Sequence, residues 1–345
     1  MERRELLRGL AALGLLSGWP MGSLGAAGSS GGAVSVDTLP ALEGDLTLYL
    51  GRGEGGLYED VIEAIRKRNP NLTLNIRRGP TVALANTIVA EAEAGAQQAD
   101  LFWAVDSGSL GLVSEAGLAQ PLRGSARSSL REGFRYEDWA PVSGRIRTLP
   151  YNTDRLSPDQ IPESIMALPD TDLTVGWAPA YGSFQSFVTA MRLLEGDAAT
   201  RQWLRGMKAR ARQYAGELGV VMGVSRGEVD IGLANHYYTL RLKAGQPEAP
   251  LDLAFTHQDA GSLLNASGVM ALRDTDLAHN FIRYLLTQEV QSYLASEAYE
   301  IPMVEGVELP AGLPDAASAS PPSIELTRLA DVRPTLTLMR EAGVL

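Results

Sequence analysis

A two-lobed α/β fold is the architecture this sequence predicts, on three observations. Short apolar segments alternate with helix-patterned stretches from residue 45 to residue 118, the order that parallel strands and crossover helices produce. A second set of such segments resumes at residue 145. The chain has 345 residues, 45% of them hydrophobic and 21% charged, which is ample for two cores.

The elements follow in order. Residues 1–32 hold a basic start, a short apolar stretch and a small-residue tail, the layout of an export signal. Residues 33–43 continue a Gly/Ser/Ala-rich tract as a linker. "DLTLYL" (45–50) is the first strand, and "LYEDVIEAIRKRNP" (57–70) has helical spacing with a proline stop. "LTLNI" (72–76) is a strand, "ALANTIVAEAEAG" (83–95) a helix closed by glycine, "DLFWAV" (100–105) a strand and "SLGLVSEAGL" (109–118) a helix. In the second set, "RIRTLPYN" (145–152) and "DLTVGWA" (172–178) are strands, with helices at 184–196 and 198–210. "EVDIGLAN" (228–235) reads as one strand, followed by strand-like 251–256 and 268–272 and amphipathic helices at 276–286 and 288–297. Residues 309–323 form a loop and 333–345 a terminal helix. Ligands of open α/β sheets bind beyond the carboxyl ends of strands.

Composition narrows the function. The formal charge is −11, and residues 1–32 carry three arginines against two glutamates, so the remainder is one unit more negative. That balance disfavours nucleic acid or an anionic membrane surface as a partner. With no cysteine there are no disulfides, thiolate metal sites or cysteine nucleophiles. The apolar run near the N-terminus is too short, and too broken by glycine and Pro20, for a membrane span. Arg3-Arg4 followed by "ELL" also fits a twin-arginine signal, beside the plainer reading of an ordinary Sec signal. Either route predicts an exported, soluble, periplasmic protein.

Chemistry concentrates in "ANHYYTLRL" (234–242), where Tyr237 and Tyr238 stand where an apolar strand runs out. One reading is packing, since tyrosine suits half-buried surface. The other is ligation: two phenolates are hard oxygen donors for a trivalent metal. A free phenol titrates near pH 10, but a bound cation lowers that value sharply. Adjacent side chains in a continuing strand point to opposite faces and could not share one ion, whereas at a strand-to-helix junction they can converge.

The chain resembles the bacterial periplasmic iron(III)-binding proteins, the solute-binding components of ferric ABC importers. The resemblance runs from "LTLYLGRGE" (46–54) to "LTLMREAGVL" (336–345), through "GRIRTLPYNTDRLSPDQIPESI", "VGWAPAYGSFQSFVTAMRLLEGD", "GEVDIGLANHYYTLRL" and "YEIPMVEGVELP". It implies the Venus flytrap fold of class II periplasmic binding proteins, with a central ligand cleft and hinge crossovers near 145–152 and 251–257. The implied lobes are 44–147 with about 258–318, and 148–257, with 319–345 packing on the second. Iron(III) is the implied ligand, held by Tyr237 and Tyr238; some branches take a third tyrosine from the loop of Tyr181, whose other reading is a cleft-wall aromatic, and Glu54 either supplies an oxygen or serves as a helix-start carboxylate. Many relatives carry a histidine after the first strand, where this chain has Gly53. Arg52 and Arg145 match arginines that hold carbonate or a similar synergistic anion, which suits the two-pronged guanidinium. Ser183, at a helix start, is a further anion contact. Asn235 matches a position that hydrogen-bonds near the metal, and His236 beside it reads as solvent-facing or supporting. Glu217 departs from relatives that place an anion-contacting asparagine nearby. The implied partner is an ABC permease in the cytoplasmic membrane, and a monomer is expected.

Two other classes compete. A binding protein for a phosphonate, thiamine or polyamine would use the same scaffold, but paired tyrosines favour iron. An enzyme on this fold is disfavoured: cysteine is absent, and the three histidines, His236, His257 and His279, form no catalytic spacing. A stress-protective iron binder would differ only in its use of the ligand.

Overall fold

The structure is a computed structural model that describes residues 33–51, 57–313 and 319–345. The expected export signal (1–32, with Arg3 and Arg4), the segment holding Arg52, Gly53 and Glu54, and loop residues 314–318 lie outside the described residues.

In chain order the first elements are β1 (Gly44–Gly51), α1 (Leu57–Arg68), β2 (Leu72–Gly79), α2 (Thr81–Glu93), β3 (Leu101–Ala104), α3 (Ser107–Glu115), α4 (Gly124–Ser128) and β4 (Ala140–Asn152). Next come β5 (Val175–Trp177), α5 (Gly182–Lys208), β6 (Ala211–Gln213), α6 (Glu217–Ser225), β7 (Ile231–Gly232), β8 (Ala234–Asn235), α7 (His236–Gly245) and β9 (Leu251–Ala254). The last are β10 (Leu264–Ala271), α8 (Asp276–Leu285), α9 (Gln288–Glu297), β11 (Ile301–Pro302) and α10 (Val332–Glu341).

The chain divides into two compact units. The first runs to Ser143 and takes the chain back from Ser267 to Glu308; the second holds Gly144–Ala266 and Leu309–Leu345. The chain therefore changes unit inside β4 and inside β10, not near 147–148 and 258 as the sequence suggested, and the residues from Leu309 belong to the second unit. A boundary inside an unbroken strand leaves no turn signal to read. The expected crossover at 251–257 is corrected too: β9 stays in the second unit, antiparallel to β4 with Tyr151 opposite Asp252.

In the first unit β1 lies between β2 and β3, parallel to both, with Leu48 opposite Ile76 and Leu101. β10 runs antiparallel to β3, Gly268 opposite Ala104. β3 is buried at every residue, while the edge strand β2 alternates buried and exposed positions, as covered and half-covered strands should. Helix α1 places Glu59 and Asp60 in its first turn and Arg66, Lys67 and Arg68 in its last, matching the helix dipole, and buries Val61, Ile62 and Ile65. Gly268 is required by packing: a Cβ there would meet the Trp139 ring at 2.5 Å.

In the second unit β5 lies between β6 and β7, parallel to both. The single strand expected over 228–235 is two short pieces. β7 pairs with β5 and β4, β8 with β4 alone, and between them the Leu233 N–H donates to the Gly176 carbonyl at 3.0 Å. Helix α5 breaks at Gly196, whose φ of 85° suits glycine, and so joins the two helices the sequence suggested. α10 packs along α5, with the buried Thr189 and Thr335 hydroxyls 2.8 Å apart. Phe184, Phe187 and Trp203 of α5 and Trp177 of β5 form the aromatic core, with edge contacts near 5.6 Å for Trp177–Phe184 and Phe187–Trp203. α6 carried no visible sequence signal. It buries Val220, Val221 and Val224, and an apolar helix without a polar face shows little periodicity.

Candidate metal site

Tyr181, Tyr237 and Tyr238 gather at the starts of two helices of the second unit. Tyr181 is the N-cap of α5, in extended conformation. Asn235 is the N-cap of α7, also extended, so Tyr237 and Tyr238 fall in the first turn of that helix. Successive helical residues are about 100° apart, unlike the opposed pair a strand would give. The two rings lie 4.6 Å apart at 47°. The Tyr181 and Tyr238 hydroxyls are 2.9 Å apart, and the Asn235 amide donates to the Tyr237 hydroxyl at 3.4 Å. Tyr237 and Tyr238 are buried and Tyr181 is half-buried.

The surroundings favour negative oxygen. Both helix starts offer positive dipole ends, and the Arg241 guanidinium, one turn along α7, sits 4.7 Å from the centre of the Tyr237 ring. Among the described residues no group of three or more His, Cys, Asp or Glu side chains could hold a metal ion.

A second cluster lies beside the first. Glu217 opens α6, and its carboxylate is fully enclosed. It accepts from the Arg147 Nη2 at 2.7 Å, from the Asn235 backbone N–H at 2.8 Å, and from the Ser183 hydroxyl. Arg147 Nη2 also reaches Ser183 Oγ at 3.3 Å, and the guanidinium lies 5.1 Å from the Phe187 ring. β4 supplies Arg147 opposite Asn235 of β8. Ser183, expected to contact an exogenous anion, here donates its hydrogen bond to an internal carboxylate. Arg145 is half-buried on β4, two residues before Arg147. His236 is fully buried, not solvent-facing: its Nδ1 accepts the Ile146 N–H at 3.2 Å, and its ring packs edge-on to Tyr237 at 5.6 Å.

Sequence reading missed Arg147 and the part played by Glu217. Its usable signal was a charge set in each of two apolar stretches, Arg147 in "IRTLPY" and Glu217 in "ELGVVMG". A charge with no water must find a partner, and these two found each other.

The mixed α/β fold of this chain is that of the class II solute-binding proteins. The chain belongs to the bacterial extracellular solute-binding protein family, which matches residues 52–292. It is 29% identical over 317 residues to the major ferric iron-binding protein of Neisseria meningitidis, covering 88% of this chain and 94% of that one. The Fe(3+)-binding periplasmic protein of Serratia marcescens is 28% identical over 289 residues, covering 81% and 85%. Iron-bound HitA from Pseudomonas aeruginosa superposes with a TM-score of 0.76 at 28% identity, over 88% of this chain and all of that one.

Proposed function

We propose that this protein is the extracytoplasmic binding component of a ferric ABC importer, which takes up iron(III) through the phenolates of Tyr237, Tyr238 and Tyr181 and hands it to a membrane permease. The observation that carries this reading is the convergence of three phenols on two helix starts, with Tyr181 and Tyr238 oxygens 2.9 Å apart. Three phenolates match the charge of one ferric ion, and hard oxygen donors suit it. The names of the Neisseria, Serratia and Pseudomonas relatives support the same ligand. Asn235 orients the Tyr237 hydroxyl, and Glu54 is proposed as a further oxygen donor. An oxyanion accompanying the iron would rest on Arg52 and Arg145, because Ser183 is engaged by Glu217.

No described helix is long and apolar enough to cross a membrane. Export by the twin-arginine route is supported by Arg3-Arg4, and secretion of a Lys-Lys variant at normal levels would point to Sec instead. A monomer is the proposed state, to be checked by light scattering.

Titration of apo protein with ferric citrate tests the main reading. A phenolate-to-iron charge-transfer band in the visible, saturating at one iron per chain, is the expected result. Tight binding of iron without that band would remove the tyrosines from the site.

A further inference from the structure

The Arg147–Glu217 cluster has the composition of an anion pocket that is already full. Its donors are a guanidinium, the hydroxyl of Ser183 in the first turn of α5, and the backbone N–H of Asn235 ahead of α7. Arginine forks, hydroxyls at helix starts and backbone N–H groups are what proteins use to hold small oxyanions. Here one carboxylate takes them all: Glu217 Oε1 accepts from Arg147 and Ser183, Oε2 from Asn235. Arg147 and Glu217 side chains are 2% and 0% exposed, so water does not share the work. Among the described residues, a second nitrogen of the same guanidinium, Arg147 Nη1, is buried with no hydrogen-bond partner, so Glu217 leaves one donor of the cluster unused.

The cluster is coupled to the tyrosines through the chain. Ser183 is two residues from Tyr181, and Asn235 precedes the His-Tyr-Tyr run and donates through its side chain to Tyr237. Gly216, next to Glu217, faces the Tyr181 ring, where an added Cβ would lie at 4.0 Å. A trivalent cation at the phenols would therefore bind near a buried guanidinium. Unless that positive charge is balanced, it opposes the cation in a medium of low dielectric. Something anionic has to sit on Arg147 when the metal is bound.

We propose that Glu217 is a built-in counter-anion, a carboxylate that occupies this donor pocket permanently and spares the tyrosine site from recruiting an exogenous oxyanion there. The inference rests on the reading of the tyrosines as a cation site. Being part of the chain, Glu217 is present at an effective concentration that a free anion in dilute medium does not reach. Glu217 acts through Arg147, Ser183 and Asn235, and is a positioning residue.

Emptying the pocket tests this. In Glu217→Ala the donors should accept inorganic phosphate, and apo protein should melt about 3 °C higher at saturating phosphate than in chloride of equal ionic strength. Wild type and Glu217→Gln, whose pockets stay filled, should shift together and by much less. Glu217→Gln keeps the shape but lacks the charge, so its iron affinity should fall about tenfold, with the charge-transfer band retained. Iron binding by Glu217→Ala should recover by about the same factor when phosphate is added. The proposal is overturned if phosphate stabilises Glu217→Ala no more than wild type, or if Glu217→Gln binds iron like wild type. Should Glu217→Ala fold only in the presence of phosphate, that rescue itself supports the pocket; failure to fold in either salt leaves the iron affinity of Glu217→Gln to decide. The phosphate arm uses apo protein, so it reads the pocket even if the tyrosines bind no iron, whereas a missing band in wild type overturns the cation reading and the counter-anion role with it.

Discussion

Arg123 in the first unit and Arg147 in the second each lie within hydrogen-bonding reach of carboxylates, with opposite consequences. Arg123 pairs with Asp274 and Asp276, and the three side chains are 44%, 64% and 86% exposed. Water and salt screen such pairs, and holding long side chains together offsets most of the attraction. Arg147 and Glu217 have no such escape, because both have left water and each is the other's principal solvation. Geometry alone would rank the two alike. Burial decides which one organises its neighbourhood, and the buried one sits among the segments that carry the tyrosines.

The largest expected effect is on the buried pair. Arg147→Met leaves the Glu217 carboxylate enclosed and uncompensated, and should cost about 3–5 kcal/mol of stability by denaturant unfolding. Arg147→Met with Glu217→Leu should recover most of that loss, since replacing a buried pair by apolar groups is often neutral. A single variant as stable as wild type would break the contrast between the two pairs.

Next in size come the phenols. Tyr237→Phe and Tyr238→Phe keep the ring and should each lower ferric affinity at least about a hundredfold, roughly 2.7 kcal/mol. Their cost to folding should stay near one hydrogen bond, about 0.5–1.5 kcal/mol. Isothermal titration and thermal melts of the same preparations separate the two. Affinity should also fall as pH falls, because protons compete with the metal for phenolate. Tyr181→Phe, at the half-buried edge of the cluster, should show a smaller loss than either.

A weaker effect belongs to His279, buried beside Asp274 with Nε2 2.9 Å from Oδ1. Burial lowers its pKa below the ordinary 6.5, against the raising influence of Asp274, with Arg123 lowering it further and Asp276 opposing. The unfolded chain then binds the proton more readily than the folded one. Stability is therefore complete above pH 6.5 and declines as pH falls from there toward the lowered folded value. His279→Gln should flatten that slope in melts between pH 7 and pH 5. Asp274, lowered chiefly by Arg123, loses its contribution only at more acidic pH, below its ordinary 3.8. Smallest of all, Asp276→Asn should leave the melting midpoint within experimental scatter at physiological salt. A clear loss there would show that exposure does not separate the pairs as argued.

The strand-helix alternation from 45 to 118 was legible because half-covered strands and amphipathic helices print their burial on the sequence, as β2 and α1 do. The tyrosine pair stood out in the sequence because adjacent side chains can converge only where a strand gives way to a helix, and the structure sets the two in the first turn of α7 beside Tyr181. Local chemistry carries that far. Tertiary structure alone decided that β4 and β10 run unbroken from unit to unit, since a continuous strand announces no boundary. It alone decided that Arg147, 70 residues from Glu217, would pair with it and draw in Ser183 and Asn235. A charge's partner is set by what surrounds it after water has gone, and no stretch of sequence holds that information by itself.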